Sequence, residues 1–121
     1  MNIAEARALL AKPKRRKFGN KPTMVDAERF DSRGEARRYG ELMALARAGQ
    51  IQKLERQVLY KLVVNGFKVG SVRPDFRYVQ GGKTVCEDYK GAPPPNGWVV
   101  RWKLAAALYP DVVWQIVGPA A

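Results

Sequence analysis

Two aspartates and a lysine in the second half of the chain have residue types and a spacing that suit a metal-binding group. With Gly81-Gly82 as a two-residue turn, Asp75 lies directly opposite Asp88 in the predicted hairpin. Side chains alternate along a strand, so Asp75, Asp88 and Lys90 project from the same face. The register therefore predicts two carboxylates about 5 Å apart at their Cβ atoms, with a lysine beside them.

A divalent cation is the natural partner of two facing carboxylates, because like charges repel unless a positive charge lies between them. Mg²⁺ takes oxygen ligands from carboxylates, phosphates and water, and we expect Mg²⁺ or Mn²⁺ here. Lys90 could stabilise an attacking water or the charge that develops on a phosphate. The alternative is a charge ladder in which Arg73, Arg77 and Lys90 neutralise two surface aspartates. A one-residue slip of the turn would remove the pairing altogether.

The residue types that the chain lacks narrow the chemistry. There is no histidine and a single cysteine, Cys86, which excludes a Cys/His zinc site, a histidine general base and an internal disulfide. A lone cysteine fits a reducing cytoplasm. No stretch approaches the roughly 18 apolar residues that span a bilayer, so we expect no membrane partner. Any catalysis would depend on carboxylates, lysine and a hard metal ion.

The net charge indicates a polyanionic partner. The chain has 22 Lys and Arg residues against 11 acidic residues, a net charge of +11. Such an excess repels itself in a compact fold and is typical of proteins that bind nucleic acid. Non-catalytic nucleic-acid-binding proteins share it, so the charge predicts binding and not chemistry.

A basic segment near the N-terminus is a further candidate for phosphate contacts. Residues 1–22 are rich in basic side chains, in particular Lys14, Arg15, Arg16 and Lys17. We predict a flexible arm that becomes ordered on binding nucleic acid, and the alternative is a solvated tail or a localisation signal.

The rest of the chain, residues 23–121, is predicted to form one domain. Ser32 to Glu35 is a capping box that opens a helix with an apolar stripe, and Gly49 closes that helix. The later elements are predicted strands over Val58–Val64, over Phe67–Val79 with a bend at Gly70-Ser71, and over Lys83–Lys90, then a helix over Trp98–Leu108 and a strand over Val112–Val117. This order predicts an α/β fold with a mixed sheet flanked by helices.

Two short motifs carry a family resemblance. Arg73-Pro74-Asp75, followed by Glu87-Asp88-Tyr89-Lys90, resembles the PD-(D/E)XK signature of the restriction-endonuclease-like superfamily. Together with Ser32-Arg33-Gly34-Glu35, these motifs also resemble a family of small phage-borne proteins thought to be nucleases or junction resolvases. The resemblance covers about residues 30–117.

The resemblance implies a restriction-endonuclease-like fold and a Mg²⁺- or Mn²⁺-dependent DNA endonuclease. In that superfamily the residues that match Asp75 and Asp88 bind the metal, and the residue that matches Lys90 assists the nucleophile. An acidic residue on the preceding helix, here Glu35, adds a further metal ligand. A structure-selective enzyme similar to a Holliday-junction resolvase is favoured, acting as a homodimer on branched DNA in the cytoplasm of a bacterial host. The alternatives are phage DNA processing or transposon-end cleavage at the same site, and a non-catalytic nucleic-acid-binding protein.

Glu87 and Glu35 are two further acidic residues with a possible part in the site. Glu87 is adjacent to Asp88, but strand alternation places it on the opposite face, which favours Asp88 as the ligand. Glu35 lies on the core-facing stripe of its helix, where a carboxylate is costly to bury without a partner. It is also the N3 residue of the capping box, which is the alternative role.

Aromatic and basic residues of the C-terminal half complete the prediction. The spacing of Trp98, Trp102 and Trp114 favours core packing over base stacking. We expect the nucleic-acid backbone to contact Arg73, Arg101 and Lys103 in addition to the arm.

Overall fold

The computed structural model describes residues 23–25, 28–30 and 32–121, the first two ranges as backbone only. The predicted basic arm, with Lys14, Arg15, Arg16 and Lys17, lies outside the described residues.

The described residues form a mixed α/β domain, as predicted. In chain order the elements are β1 (Thr23–Val25), β2 (Glu28–Phe30), α1 (Arg33–Arg47), β3 (Gln52–Arg56), β4 (Tyr60–Val64), β5 (Phe67–Val72), β6 (Phe76–Gln80), β7 (Lys83–Tyr89), α2 (Asn96–Leu108) and β8 (Val113–Val117). Neither of the helices described here is long and apolar enough to cross a membrane.

A four-stranded mixed sheet forms the centre of the domain, in the order β3-β6-β7-β8. β6 is antiparallel to both β3 and β7, whereas β8 is parallel to β7. A parallel neighbour requires a crossover connection, and α2 provides it. The hairpins β1–β2 and β4–β5 form separate two-stranded sheets.

Helix α1 begins and ends where its sequence signals predict. The Ser32 side chain accepts a hydrogen bond of 3.1 Å from the Glu35 N–H, which satisfies one of the free donors of the first turn. Gly49, after the last turn, has a φ of +76°, the left-handed conformation that favours glycine. The buried face of α1, including Tyr39 and Leu42, packs with Phe76 in the main core.

The β6–β7 hairpin has the register predicted from its turn. Gln80 pairs with Lys83, and the ladder continues to Phe76 and Glu87. Gly81 and Gly82 both have positive φ values, as a two-residue type I′ turn requires. Continued by one residue beyond the ladder, the same register places Asp75 opposite Asp88.

The predicted single strand over Phe67–Val79 is wrong. The chain leaves the β4–β5 hairpin after Val72 and enters the central sheet at Phe76, and residues 73–75 form no strand. Pro74 has no N–H and cannot donate to a ladder, which accounts for the break. The predicted bend at Gly70-Ser71 lies one residue too late, because the register of β4 and β5 shifts at Val69, between Lys68 and Gly70.

A second small core joins the β4–β5 hairpin to α2. Leu62 and Val72 of the hairpin are buried with Ala105 of α2, and Trp114 of β8 packs against them. The two helices therefore cover opposite faces of the central sheet, since α1 packs on the face that carries Tyr78. Asp88 lies on the Trp114 side and Glu87 on the α1 side.

Candidate functional site

Asp75 and Asp88 meet where the β6–β7 ladder ends. The Asp75 N–H donates to Asp88 Oδ1 at 3.0 Å, and the Tyr89 N–H donates to Asp75 Oδ2 at 2.8 Å. Asp88 is 4% exposed, and Gln57 Nε2 lies 3.3 Å from Asp75 Oδ1. The structure therefore brings together the two aspartates that the hairpin register pairs, because each carboxylate accepts a backbone N–H from the other side, Asp88 from Asp75 and Asp75 from Tyr89.

The electrostatics of this pair disfavour two negative charges. Burial raises the pKa of Asp75 to about 8, the negative charges of Asp88 and Glu35 add to this, and the Tyr89 N–H and the Lys90 charge oppose it. The ordinary pKa of an aspartate is about 3.9. At neutral pH the protein without a bound cation therefore tends to keep a proton on Asp75, and a nearby cation would favour the ionised pair.

Lys90 lies between a carboxylate and an aromatic ring. Its Nζ is 2.9 Å from Asp88 Oδ2 and 4.1 Å from the centre of the Trp98 ring. Trp98 stacks on Trp102 with 4.9 Å between ring centres. Core packing was predicted for the tryptophans, but the contact of Trp98 with Lys90 was not. No sequence signal identifies it, because it depends on how α2 packs against the β4–β5 hairpin and β8.

Glu35 is buried near the pair but has a basic neighbour. Arg56 Nη2 lies 3.6 Å from Glu35 Oε1, and Arg56 pairs with Phe76 next to Asp75. Glu35 is close enough to raise the pKa of Asp75. Within the described part of the chain, no three acidic, cysteine or histidine side chains are grouped so that they could hold a metal ion. Of the three predicted metal ligands, Asp75 and Asp88 are therefore joined by hydrogen bonds, and Glu35 lies near them beside Arg56.

Glu87 is fully bound on the other face of the sheet. Arg38 Nε and Nη2 donate to its two oxygens at 2.6 and 2.9 Å, and the Tyr78 hydroxyl donates at 2.6 Å. Gln115 Nε2 adds a fourth bond at 3.2 Å. These contacts place Glu87 away from Asp75, as alternation predicts, and fix the orientation of β7 next to Asp88.

A close approach between α1 and β7 also positions the site. A Cβ atom at Gly34 would overlap the ring of Tyr89, and the backbone N–H of Tyr89 binds Asp75. Glycine is unfavourable inside a helix by roughly 1 kcal/mol relative to alanine. A glycine at position 34, in the first turn of α1, is therefore a sequence signal of a close contact at this position.

A comparison with known protein families identifies the family of this chain. Residues 15–119 match the family described as "Protein of unknown function (DUF1064)". The chain belongs to this family. No curated protein and no solved structure matches it significantly.

The donor set of this DUF1064 protein fits a hard divalent cation. Asp75 and Asp88 supply four carboxylate oxygens, each with lone-pair capacity beyond its present hydrogen bond. Mg²⁺ and Mn²⁺ favour such oxygen ligands and commonly bind one or two carboxylates. Burial and the neighbouring negative charges raise the pKa of Asp75, and the positive charge of a cation held by the two carboxylates would oppose both effects.

The predicted phosphate-binding residues that the structure describes lie in two places. Arg73 is exposed in the break before β6, and Lys103 is exposed on α2. Arg101, also on α2, is half-buried, and its Nε has no hydrogen-bond partner among the described residues. A buried guanidinium N–H without a partner is costly, so this Nε is an unsatisfied donor within the described part of the chain.

Proposed function

We propose that this DUF1064 protein is a metal-dependent nuclease that hydrolyses phosphodiester bonds in DNA. The proposal includes a restriction-endonuclease-like fold, a preference for branched DNA and action as a homodimer. One observation carries it: Asp75 and Asp88 contact each other at the end of the β6–β7 ladder, with Lys90 2.9 Å from Asp88. The net charge of +11 supports a nucleic-acid substrate.

Each residue of the group has a distinct role in this proposal. Asp75 and Asp88 would hold Mg²⁺ or Mn²⁺, and Glu35 would add a further oxygen. Such a cation, when bound, supplies positive charge beside the phosphate and lowers the pKa of a coordinated water. Lys90 would turn from Asp88 toward the substrate and stabilise the developing negative charge with its ammonium group.

The test is cleavage of branched, duplex and single-stranded DNA with Mg²⁺, with Mn²⁺ and with a chelator. We expect cleavage only with metal. Asp88→Asn and Lys90→Ala should each reduce it by roughly 100-fold or more, as the loss of a charge-stabilising group does. Asp111→Asn is the matched control, because Asp111 is exposed and outside the site. Metal-independent cleavage, or full activity of Asp88→Asn, would refute the assignment.

A non-catalytic nucleic-acid-binding protein is the second candidate. The hydrogen bonds from the Asp75 and Tyr89 N–H groups and the Lys90–Asp88 ion pair give the aspartates a structural role without any metal. This candidate predicts DNA binding without cleavage under every metal condition, and loss of stability in Asp88→Asn. Phage DNA processing or transposon-end cleavage predicts instead that linear duplex ends are cut in preference to branched DNA.

A further inference from the structure

The far end of the β4–β5 hairpin is a second surface with its own chemistry. We call residues Val63–Val69 the hairpin tip. Phe67 is 74% exposed, Val69 is 47% exposed and Val63 is 44% exposed. Phe67 pairs with Val64, which is 36% exposed, so the ring has an apolar neighbour on its own face of the hairpin, whereas Val63 pairs with Lys68 on the other face. An exposed apolar group of this kind indicates a binding surface.

The charge around the hairpin tip argues for a polyanion. From Arg56 to Pro74 the sequence has four basic residues and no acidic residue. Lys61 and Lys68 belong to the hairpin and are exposed. A second copy docked face to face would place lysines against lysines, with no carboxylate of this segment to pair with them. A nucleic acid supplies the missing negative charge.

The aromatic residue at the hairpin tip indicates which part of a nucleic acid is bound. Phosphates need only positive charge, whereas an exposed phenyl ring beside valines fits the faces of bases. In a continuous duplex those faces are stacked. They become accessible where the helix is interrupted, or where an apolar side chain separates a base step.

The hairpin tip has a fixed relation to the Asp75–Asp88 pair. Leu62 and Val72 are buried against α2, which anchors the base of the hairpin, and β5 leads directly into the break that contains Asp75. Phe67 precedes Asp75 by eight residues. The two can be at most about 26 Å apart at roughly 3.3 Å per residue, the length of about eight base pairs.

We infer that the hairpin tip binds unstacked bases of DNA at a branch or a gap. Phe67 stacks on an exposed base, and Lys61 and Lys68 contact the adjoining phosphates. The substrate class is then DNA whose helix is interrupted within about eight base pairs of the bond at Asp75 and Asp88. The placement of the cut relies on the proposed nuclease function, but the binding of bases does not.

The test measures binding of the full chain in EDTA, so that no cleavage occurs. Fluorescence anisotropy compares a four-way junction and a gapped duplex with a continuous duplex of equal length. A 2-aminopurine at the branch reports stacking. We expect Phe67→Ala to lower affinity for the interrupted DNAs about 10-fold, in the range of one lost base–aromatic stack, and to leave duplex binding within about twofold.

Two control variants test whether the effect requires an aromatic ring at position 67 and whether it follows from the loss of any exposed apolar side chain. Phe67→Trp should retain the preference and quench 2-aminopurine, since the larger ring still stacks. Val100→Ala removes an apolar side chain that is 63% exposed on α2 and should behave as wild type. Thermal melting checks that all three variants are folded.

Several outcomes would overturn the inference. An equal loss for duplex and interrupted DNA in Phe67→Ala would make the ring a general contact. A Phe67-dependent dimer in sedimentation would make the tip a self-association surface. Phe67-dependent binding to phosphatidylserine–phosphatidylcholine vesicles, without the DNA preference, would make it a membrane contact. If the preference for interrupted DNA in EDTA depends on Phe67 but no DNA is cleaved with Mg²⁺ or Mn²⁺, only the nuclease proposal is refuted. If the protein cleaves DNA with metal but Phe67→Ala keeps the wild-type preference for interrupted DNA in EDTA, only this inference is refuted.

Discussion

At the scale of single residues, the burial of Asp75 beside Asp88 makes the stability of the protein depend on pH. Burial and two neighbouring carboxylates raise the pKa of Asp75 to about 8. A carboxyl group whose pKa is higher in the folded state than in the unfolded state binds its proton more tightly when folded. The contribution of Asp75 to the free energy of unfolding therefore decreases as pH rises from about 4 to about 8 and is constant above that.

Asp75→Asn should remove this pH dependence, because the amide is neutral at every pH and keeps an acceptor oxygen for the Tyr89 N–H. In EDTA we expect the variant to melt at least about 5 °C above wild type at pH 8, because each unit of raised pKa corresponds to about 1.4 kcal/mol and about 1 kcal/mol shifts the melting temperature by roughly 5 °C in a domain of this size. At pH 4 the two should melt together. Mg²⁺ should stabilise wild type and not the variant. A variant that melts below wild type at pH 8 would contradict the raised pKa.

Glu35 has two candidate roles, as a metal ligand and as a helix cap, and one substitution distinguishes them. Glu35→Gln retains the size and the capping ability of the side chain but is a poorer Mg²⁺ ligand. We expect a folded variant with a large loss of cleavage, partly restored at higher Mg²⁺ or Mn²⁺ concentration. Glu41→Gln is the matched control, since it removes an exposed ion pair with Arg38 on the same helix. Normal melting and normal cleavage by Glu35→Gln would leave Glu35 as a helix cap.

At the scale of elements, two glycines of α1 differ only in their surroundings. A Cβ at Gly34 would overlap the Tyr89 ring, whereas a Cβ at Gly40 would meet nothing within 4 Å. Gly40→Ala should stabilise the protein by about 0.5–1 kcal/mol through helix propensity. Gly34→Ala should destabilise it by about 1–3 kcal/mol, the cost of overpacking, and should also weaken cleavage, because Tyr89 binds Asp75. Equal effects of the two substitutions in urea unfolding would mean that α1 and β7 do not pack closely at Gly34.

Local signals made several elements predictable. The Ser32 cap, the Gly81-Gly82 turn and the β6–β7 register each depend on a few adjacent residues, and the structure contains all of them. The break at Pro74 was also visible as a residue that cannot join a ladder. The apolar pattern of a strand continues on both sides of Pro74, however, and therefore predicts one continuous strand.

Contacts made across a loop were not predictable in the same way. Arg56 near Glu35 joins β3 to α1, and Trp98 beside Lys90 joins the two ends of the loop between β7 and α2. Neither pair has a spacing or a residue pattern that a single sequence would reveal. The carboxylate pair was predictable only because one short hairpin connects its two members.

At the scale of the whole molecule, the positive charge is divided between the domain and the N-terminal segment. Deleting Met1 to Lys21 removes seven basic residues and Glu5, which leaves a net charge of +5 from the original +11. The remaining domain keeps Arg73, Arg101 and Lys103. The two parts should therefore contribute separately to the affinity for DNA.

The salt dependence of binding measures the contribution of the N-terminal segment. Each phosphate contact releases condensed counterions and adds about 0.9 to the slope of log K against log salt on duplex DNA. Deleting Met1 to Lys21 should lower the affinity and make the slope shallower. Because some of these basic side chains can stay solvated in the complex, the change should be smaller than the seven lost charges would give. Replacing Lys14, Arg15, Arg16 and Lys17 with glutamine, at full length, is the matched control and should reproduce more than half of the change. An unchanged slope in both variants would show that this segment does not contact DNA, and the +5 domain would then account for all of the binding.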